Sequence, residues 1–337
     1  MTDNFGIGFY TGRPITDLDV FERVNLPMPE PRAHDLVVKV AAMAVNPIDT
    51  KLRQTAKTSS TPRILGFDAV GTVTALGEDT RGFHVGDRVL YAGSKNRQGS
   101  NKLYQAVDYR VVGHAPEKLS DADLAAIPLV GVTAWELLFE KMGFIPEAGA
   151  NEGKTLLVIN GAGGVGSMMT QLAKWSGLKV LATSSPKNFP WLRNHGVSCR
   201  IDYHDDIARE VHEQGYETID GIAILFAPEP YLTLANKLVA PFGHVGCIVQ
   251  PTSPLDVGEL KNKAASLDFE FMFAKTDYHH NLAPQGEIIG KIANLQASGV
   301  LQSDVTQVMH GLTVDNLRVA TAMVEDGHMQ GKVVLTV

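Results

Sequence analysis

The residues with the clearest chemical potential are glycines. Gly161-Ala162-Gly163-Gly164-Val165-Gly166 follows the pattern G-x-G-x-x-G. It stands directly behind the apolar run Leu156-Leu157-Val158-Ile159-Asn160 and opens a helical pattern over 165–176, with Gly177 as its stop. Strand, glycine turn and helix in that order form a pyrophosphate site. One glycine permits the tight turn, the next lets backbone approach the phosphates, and the third lets helix and strand pack closely. The helix N-terminus adds N–H donors and partial positive charge. Gly161, Gly163, Gly164, Val165 and Gly166 are therefore assigned to a dinucleotide. A site for NAD places Asp or Glu about 20 residues further on, against the ribose 2′-hydroxyl. This chain has Thr183-Ser184-Ser185-Pro186-Lys187 there. Two hydroxyls and a cation suit a 2′-phosphate. NADPH is expected, held by Ser184, Ser185 and Lys187, with Tyr203 as a further lining group. Phe226-Ala227 and Ile248-Val249 end later strand-like runs and are expected beside the cofactor, because ligands lie at strand ends in such sheets.

Two textures flank this turn. The first third is β-prone, with runs at 35–45, 69–76, 87–91 and 105–112 punctuated by Pro47, Gly66, Gly71, Gly77, Gly82 and Gly86. Short strands with such punctuation predict a small barrel or sandwich. Near Ser120 the pattern changes. Ser120 caps a short helix over 121–127, and a second helical pattern runs over 133–142. From Thr155 apolar strands alternate with helices: strands at 179–183, 219–226 and 244–249, helices near 189–195 and 230–238. That alternation predicts a doubly wound parallel sheet. The tail adds helices over 286–298 and 317–326 and a terminal strand over 332–337. The fold class is α/β.

Composition sets outer limits. The 337 residues carry a formal net charge of −7, with 44% hydrophobic and 20% charged residues, as in an ordinary globular protein. An acidic balance argues against nucleic acid as a partner. No run reaches the ~18 apolar residues of a membrane span, and the start lacks a basic-then-apolar signal. Two cysteines, Cys199 and Cys247, are too few for a disulfide framework. The expected setting is cytoplasmic. No HExxH and no G-x-S-x-G occurs, so protease and esterase chemistry lacks support.

With the glycine turn placed mid-chain behind a β-rich region, the sequence resembles the medium-chain dehydrogenases/reductases, and most closely their quinone oxidoreductase-like, zinc-type alcohol dehydrogenase-like members. The segments carrying the resemblance are 44–53 (AVNPIDTKLR), 66–73 (GFDAVGTV), 83–89 (FHVGDRV), 128–134 (PLVGVTA), the glycine turn and 331–335 (GKVVL). The resemblance implies a GroES-like catalytic domain from residues 1–130 and 278–337, and an NAD(P)-binding Rossmann domain over 131–277. It implies a cofactor in the cleft between them and hydride transfer from the nicotinamide. It implies a homo-oligomer, dimer or tetramer, formed through the Rossmann sheets; the strand around 244–249 is expected to be the contacting edge.

Zinc-dependent relatives carry a Cys ligand where Asn46 stands and a His-Glu pair where Phe67-Asp68 stands. Their third ligand falls within 115–160, where this chain has neither Cys nor His, and no cysteine precedes Cys199 to build a structural zinc lobe. Three protein ligands are needed for a catalytic zinc, so none is expected. Alcohol oxidation then lacks its Lewis acid. A quinone or an alkene conjugated to a carbonyl accepts hydride directly, and hydrogen bonds suffice for the charge that develops on oxygen. The expected activity is a zinc-independent, NADPH-dependent reduction of a small electrophile. The alternatives are a zinc-type alcohol or aldehyde dehydrogenase and a nucleotide-binding protein with a non-catalytic role.

By the same resemblance, Asn46 contacts the nicotinamide ribose and orients substrate, and Thr133 lies near the nicotinamide. Phe67 lines the substrate pocket from the former ligand position. Tyr104 is a candidate proton donor, with packing as its other role. Phe271 and Phe273 lie where the backbone approaches the carboxamide, and His279 lines the substrate mouth. Asp49 and Arg53 are expected to form an ion pair that fixes the Asn46 loop.

Overall fold

The β-branched runs of the first third pair as antiparallel strands. In the computed structural model, which describes residues 4–337, these are β1 (Phe5–Gly8), β2 (Glu22–Asn25), β3 (Asp35–Ala44), β4 (Asp68–Leu76), β5 (Arg88–Tyr91), β6 (Tyr104–Asp108) and β7 (Val112–His114). Between β3 and β4 lies helix α1 (Pro47–Gln54). Proline at the first helical position costs no hydrogen bond, because that N–H has no partner in any helix. Helix α2 (Asp121–Ala125) is capped by Ser120, whose hydroxyl accepts the Asp123 N–H. Helix α3 (Pro128–Trp135) follows and winds on as a wider π-helix over Glu136–Lys141.

The parallel strands come next: β8 (Thr155–Ile159), β9 (Lys179–Ser184), β10 (Cys199–Asp202), β11 (Ile219–Ile224), β12 (Val239–Cys247) and β13 (Ser266–Phe269). Their order across the sheet is β10-β9-β8-β11-β12-β13, with every pairing parallel. Chain order 3-2-1-4-5-6 is that of the dinucleotide-binding doubly wound sheet. The strand at 239–247, expected from sequence to be the edge, is internal, with β11 and β13 on either side. The edges are β10 and β13; β13 is hard to read from sequence because SLDF is short and half polar.

Helix Pro284–Ala297, strand β14 (Val305–His310), helix Val314–Asp326 and strand β15 (Lys332–Thr336) complete the chain. The two strands join the first sheet, whose order is β14-β15-β3-β4-β5-β7, with β6 also on β3. The chain thus forms two units. The first comprises residues 1–129, 273–299 and 303–337, and the second 130–272 and 300–302. The return to the first unit falls at Met272–Phe273, ahead of Tyr278, because Phe273 is buried against Phe67 with ring centroids 4.7 Å apart. The core of the first unit is built on Val38, Val40, Met43, Val73, Tyr91, Val333 and Leu335. That of the second is built on Leu157, Ile159, Leu181, Ile222, Ile224 and Val245. Among the described residues no helix is long and apolar enough to cross a membrane.

Candidate active site and cofactor turn

In the second unit the turn does what its composition requires. β8 ends, Asn160 takes φ 68°, and α4 (Gly164–Trp175) begins with Gly163 as its N-cap. A Cβ on Gly166 would lie 2.3 Å from the Asn160 carbonyl oxygen, and one on Gly161 would lie 2.6 Å from Ala182 Cβ. Helix and strands are therefore as close as bare backbone allows. No side chain caps the α4 N-terminus. Its free N–H groups and dipole suit an anion, so the turn fits a dinucleotide pyrophosphate. Gly177, with φ 97°, ends the helix.

The register lines up the strand ends. Ile159 faces Ile224, Ile224 faces Cys247, Cys247 faces Phe269, and Asp202 faces Ser184. The glycine turn, Ser184-Ser185, Tyr203, Phe226-Ala227 and Ile248-Val249 accordingly follow the carboxyl ends of neighbouring strands. Ser184 is buried, Lys187 is exposed, and Phe226 and Tyr203 are exposed aromatics. Asn188, which carries no signal in the sequence, donates to the Ser184 hydroxyl oxygen at 2.9 Å and to that of Ser185 at 3.4 Å. A carboxylate does lie near, on the adjacent strand. Asp202 accepts the His204 backbone N–H and lies 2.6 Å from His204 Nδ1. These contacts, the backbone one first, hold it below the usual carboxylate range. Thr133 is buried in α3, and Phe271 is half exposed past the end of β13.

The first unit holds a different arrangement. In the sheet β15-β3-β4, Val334 faces Ala44 and Ala44 faces Asp68. Carried on by two residues, that antiparallel register brings Lys332 to Asn46 at the mouth of the β3–α1 turn. The Asn46 amide nitrogen donates to Asp68 Oδ2 at 2.8 Å. Lys332 Nζ donates to Asp68 Oδ2 at 3.0 Å and also to Asn46 Oδ1. The Leu129 N–H donates to Asp68 Oδ1 at 2.6 Å. All three residues are at most 3% exposed. Asp49 closes the cluster by accepting the Asn46 and Gly66 N–H groups, each at 2.9 Å. Complete burial pushes its carboxyl up to about 7, against the pull of those two donors.

The expected Asp49–Arg53 ion pair is not formed. Both lie on α1, but Arg53 is buried elsewhere, bonded to the Arg13 carbonyl and to Glu325, while both Asp49 oxygens serve backbone donors. Lys332 and Asp68 lie in the segments 331–335 and 66–73 that carry the resemblance, but their engagement with Asn46 escapes a sequence reading because it depends on strand register. Phe67 is buried against Phe273. Tyr104 is half-buried at the start of β6, where it faces Lys39. His279, with φ 51°, is exposed and lines a cavity of about 410 Å³ together with Gly93, Asn96, Arg97, Thr276 and Leu282. Neither Phe67 nor Asn46 lines that cavity.

This donor set does not fit zinc. Asp68 already accepts from three N–H donors, Asn46 is an amide, and an ammonium lies against both. Among the described residues no cluster of three or more His, Cys, Asp or Glu could hold a metal.

Known proteins place this architecture. Residues 32–133 match the alcohol dehydrogenase GroES-like domain family, and residues 195–335 match the zinc-binding dehydrogenase family. A zinc-type alcohol dehydrogenase-like protein of Staphylococcus epidermidis is 38% identical over 331 residues, 98% of each chain. The NADPH-dependent alkenal/one oxidoreductase of Arabidopsis thaliana chloroplasts is 31% identical over 66% of this chain and 58% of its own. The crystal structure of a Rhizobium etli CFN 42 protein assigned to the zinc-dependent alcohol dehydrogenases superposes with a TM-score of 0.94 at 33% identity, covering 100% of this chain and 99% of that one.

Proposed function

The chain belongs to the medium-chain dehydrogenase/reductase family and is an oxidoreductase, and from that premise we propose that it reduces small electrophiles, α,β-unsaturated carbonyls or quinones, with NADPH and without zinc. The observation that carries this reading is the Lys332 ammonium bonded to Asn46 and Asp68. A site arranged around a side-chain cation has no donor set left for a Lewis-acid metal. The acceptors it can serve are those already activated toward hydride. The likeness to an oxidoreductase of alkenals and alkenones points the same way.

NADPH, when bound, supplies the hydride. The chain's part is to bind, orient and stabilise. The glycine turn and the α4 N-terminus receive the pyrophosphate. Ser184, Ser185 and Lys187 receive the 2′-phosphate, with Tyr203 alongside. Asn46 and Thr133 orient the nicotinamide end. Asn46 meets the oxygen that gains charge, and Tyr104 is the candidate proton donor. Asp202, on the neighbouring strand, is engaged by the His204 backbone N–H and imidazole rather than by the serines. A homo-oligomer would form through the free edge of β13, and the setting is cytoplasmic.

The test follows loss of reduced nicotinamide absorbance with an enone, a quinone and an aldehyde. NADH and a strong chelator are run in parallel. Chelator-resistant turnover of enone or quinone with preference for NADPH is the expected result. Activity abolished by chelation and restored by zinc overturns the metal-free reading. Equal use of NADH overturns the 2′-phosphate assignment.

A further inference from the structure

The chemistry of Lys332 fixes something that the position of Asn46 alone does not. An ammonium has three donors and no acceptor, whereas a carboxylate has acceptors only. The Asn46 side chain lies between one of each. The atom facing Lys332 must be its oxygen, and the atom facing Asp68 must be its nitrogen. Flipping the amide would set N–H against ammonium and oxygen against carboxylate, two repulsive contacts in a buried site. The amide is therefore locked by charge at both ends. Its oxygen is spent on Lys332 and one N–H on Asp68. One N–H remains.

We propose that Lys332 is a positioning residue of the active site, whose buried ammonium turns Asn46 into a one-way hydrogen-bond donor toward the acceptor oxygen of the substrate. The inference rests on the reductase reading above. It also names the substrate feature recognised: an oxygen that gains negative charge as hydride arrives, as in a carbonyl conjugated to an alkene or a quinone. A lone donor that meets developing charge would help the transition state more than the ground state. The ammonium behind it polarises the amide in the same sense. The reaction balances simply: hydride and its electron pair pass from the nicotinamide to the electrophilic carbon. The oxygen takes the negative charge, and a proton from water or a neighbouring acid completes reduction. Asp68 in turn holds Lys332 and is itself held by the Leu129 N–H.

The experiment compares wild type with Lys332→Met, Lys332→Met/Asp68→Asn and Lys332→Arg. It measures kcat and KM for an enone, the Kd for NADPH, and thermal melting. The double variant matters most, because it leaves no buried charge unpaired. It should melt near wild type and bind NADPH within about threefold, with KM within about threefold and kcat lower by about 30–100-fold. Lys332→Arg should recover part of kcat. A double variant with kcat within about threefold of wild type, or a loss carried wholly by KM, overturns the proposal. Wild-type protein that binds NADPH and reduces no enone or quinone overturns the functional reading instead. In that event, or if no variant folds, a through-hydrogen-bond coupling between Lys332 Nζ and Asn46 Cγ, sought by NMR on wild-type protein, decides the assignment. Its presence supports the locked amide, and its absence overturns it.

Discussion

The glycine turn of the second unit and the ammonium-centred cluster of the first are built on opposite plans. The turn is local. Six consecutive residues, Gly161 to Gly166, make it, and what they offer is backbone. The N–H groups of Gly161 and Gly163 go to the Thr183 and Asn160 carbonyls, but no side chain caps the first turn of α4, and Gly161 and Gly166 are required because a Cβ would strike Ala182 or Asn160. The cluster is long-range. Asn46 and Asp68 are 22 residues apart, and Lys332 follows Asn46 by 286. What it offers is side chains, nearly all of whose hydrogen-bonding capacity is already used among themselves. A site with open donors is ready for a charged ligand that arrives with its own oxygens. A site with spent donors is stiff, and presents whatever single group is left over.

That difference also explains what could be read from sequence. The strand 156–160, the turn, the helix and its Gly177 stop were legible because each is a short-range pattern. The doubly wound sheet was legible from the alternation of strands and helices. α1 was not: Asn46-Pro47 reads as a turn, although proline is as much at home on the first position of a helix. Asp49 and Arg53, spaced for an ion pair on that helix, went to separate partners once tertiary burial put Glu325 by one and two backbone N–H groups by the other. The bonding of Lys332 to Asn46 could have been found by only one route. The register of β15 on β3 sets it opposite Asn46, and register between strands so distant in the chain is a property of the folded sheet.

If the cluster is as tightly bound as its hydrogen bonds imply, removing its centre should do the greatest damage. Asp68→Leu leaves the Lys332 ammonium buried without its counter-ion and strips the acceptor from Asn46 and from the Leu129 N–H. Loss of one partner of a buried pair costs about 3–5 kcal/mol. Urea unfolding should show a midpoint shift of that size, or no soluble folded protein. A loss under about 1 kcal/mol would mean that water reaches the cluster, and the contrast with the turn would fail.

Asp49 sharpens the same point through pH. Its carboxyl is pushed up to about 7 from an ordinary 3.8, first by burial. The folded state then holds a proton that the unfolded chain has released. The stability this group contributes is fully present below about pH 4 and is lost as pH rises through about 7. The ceiling on that loss is about 4 kcal/mol. Asp49→Asn cannot ionise, so the stability difference between wild type and variant should move in the variant's favour from pH 4 to pH 8, less about 1 kcal/mol for one lost acceptor. Parallel stability curves would show an Asp49 that stays ionised in its two N–H bonds.

The turn should break by volume where the cluster breaks by charge. Gly166→Ala places a methyl 2.3 Å from the Asn160 carbonyl oxygen. Helix α4 must then shift away from β8, at a cost of about 1–3 kcal/mol. Because the same shift moves the N–H groups that would meet the pyrophosphate, NADPH affinity should fall together with the melting temperature. A fall in melting temperature with unchanged affinity would separate the packing role of this glycine from phosphate binding.

The smallest effect tests the part of the turn region most open to solvent. Lys187 is exposed beside Ser185 and Asn188, so its charge acts through water and an ion pair there is worth about 1 kcal/mol or less. Lys187→Ala should weaken NADPH binding by about 3- to 5-fold and leave NADH binding unchanged, since NADH lacks the 2′-phosphate. The difference should shrink as salt is raised, because exposed charges are screened over about 8–10 Å at ordinary ionic strength. The buried cluster supplies the control: an ammonium held between Asn46 and Asp68 at 3% exposure is shielded from salt, so kcat of wild type should be nearly flat over the same range. Equal loss of both cofactors on Lys187→Ala would remove the 2′-phosphate from this corner of the sheet. A kcat that falls with salt as steeply as the NADPH affinity would erase the distinction between a site with open donors and one whose donors are spent.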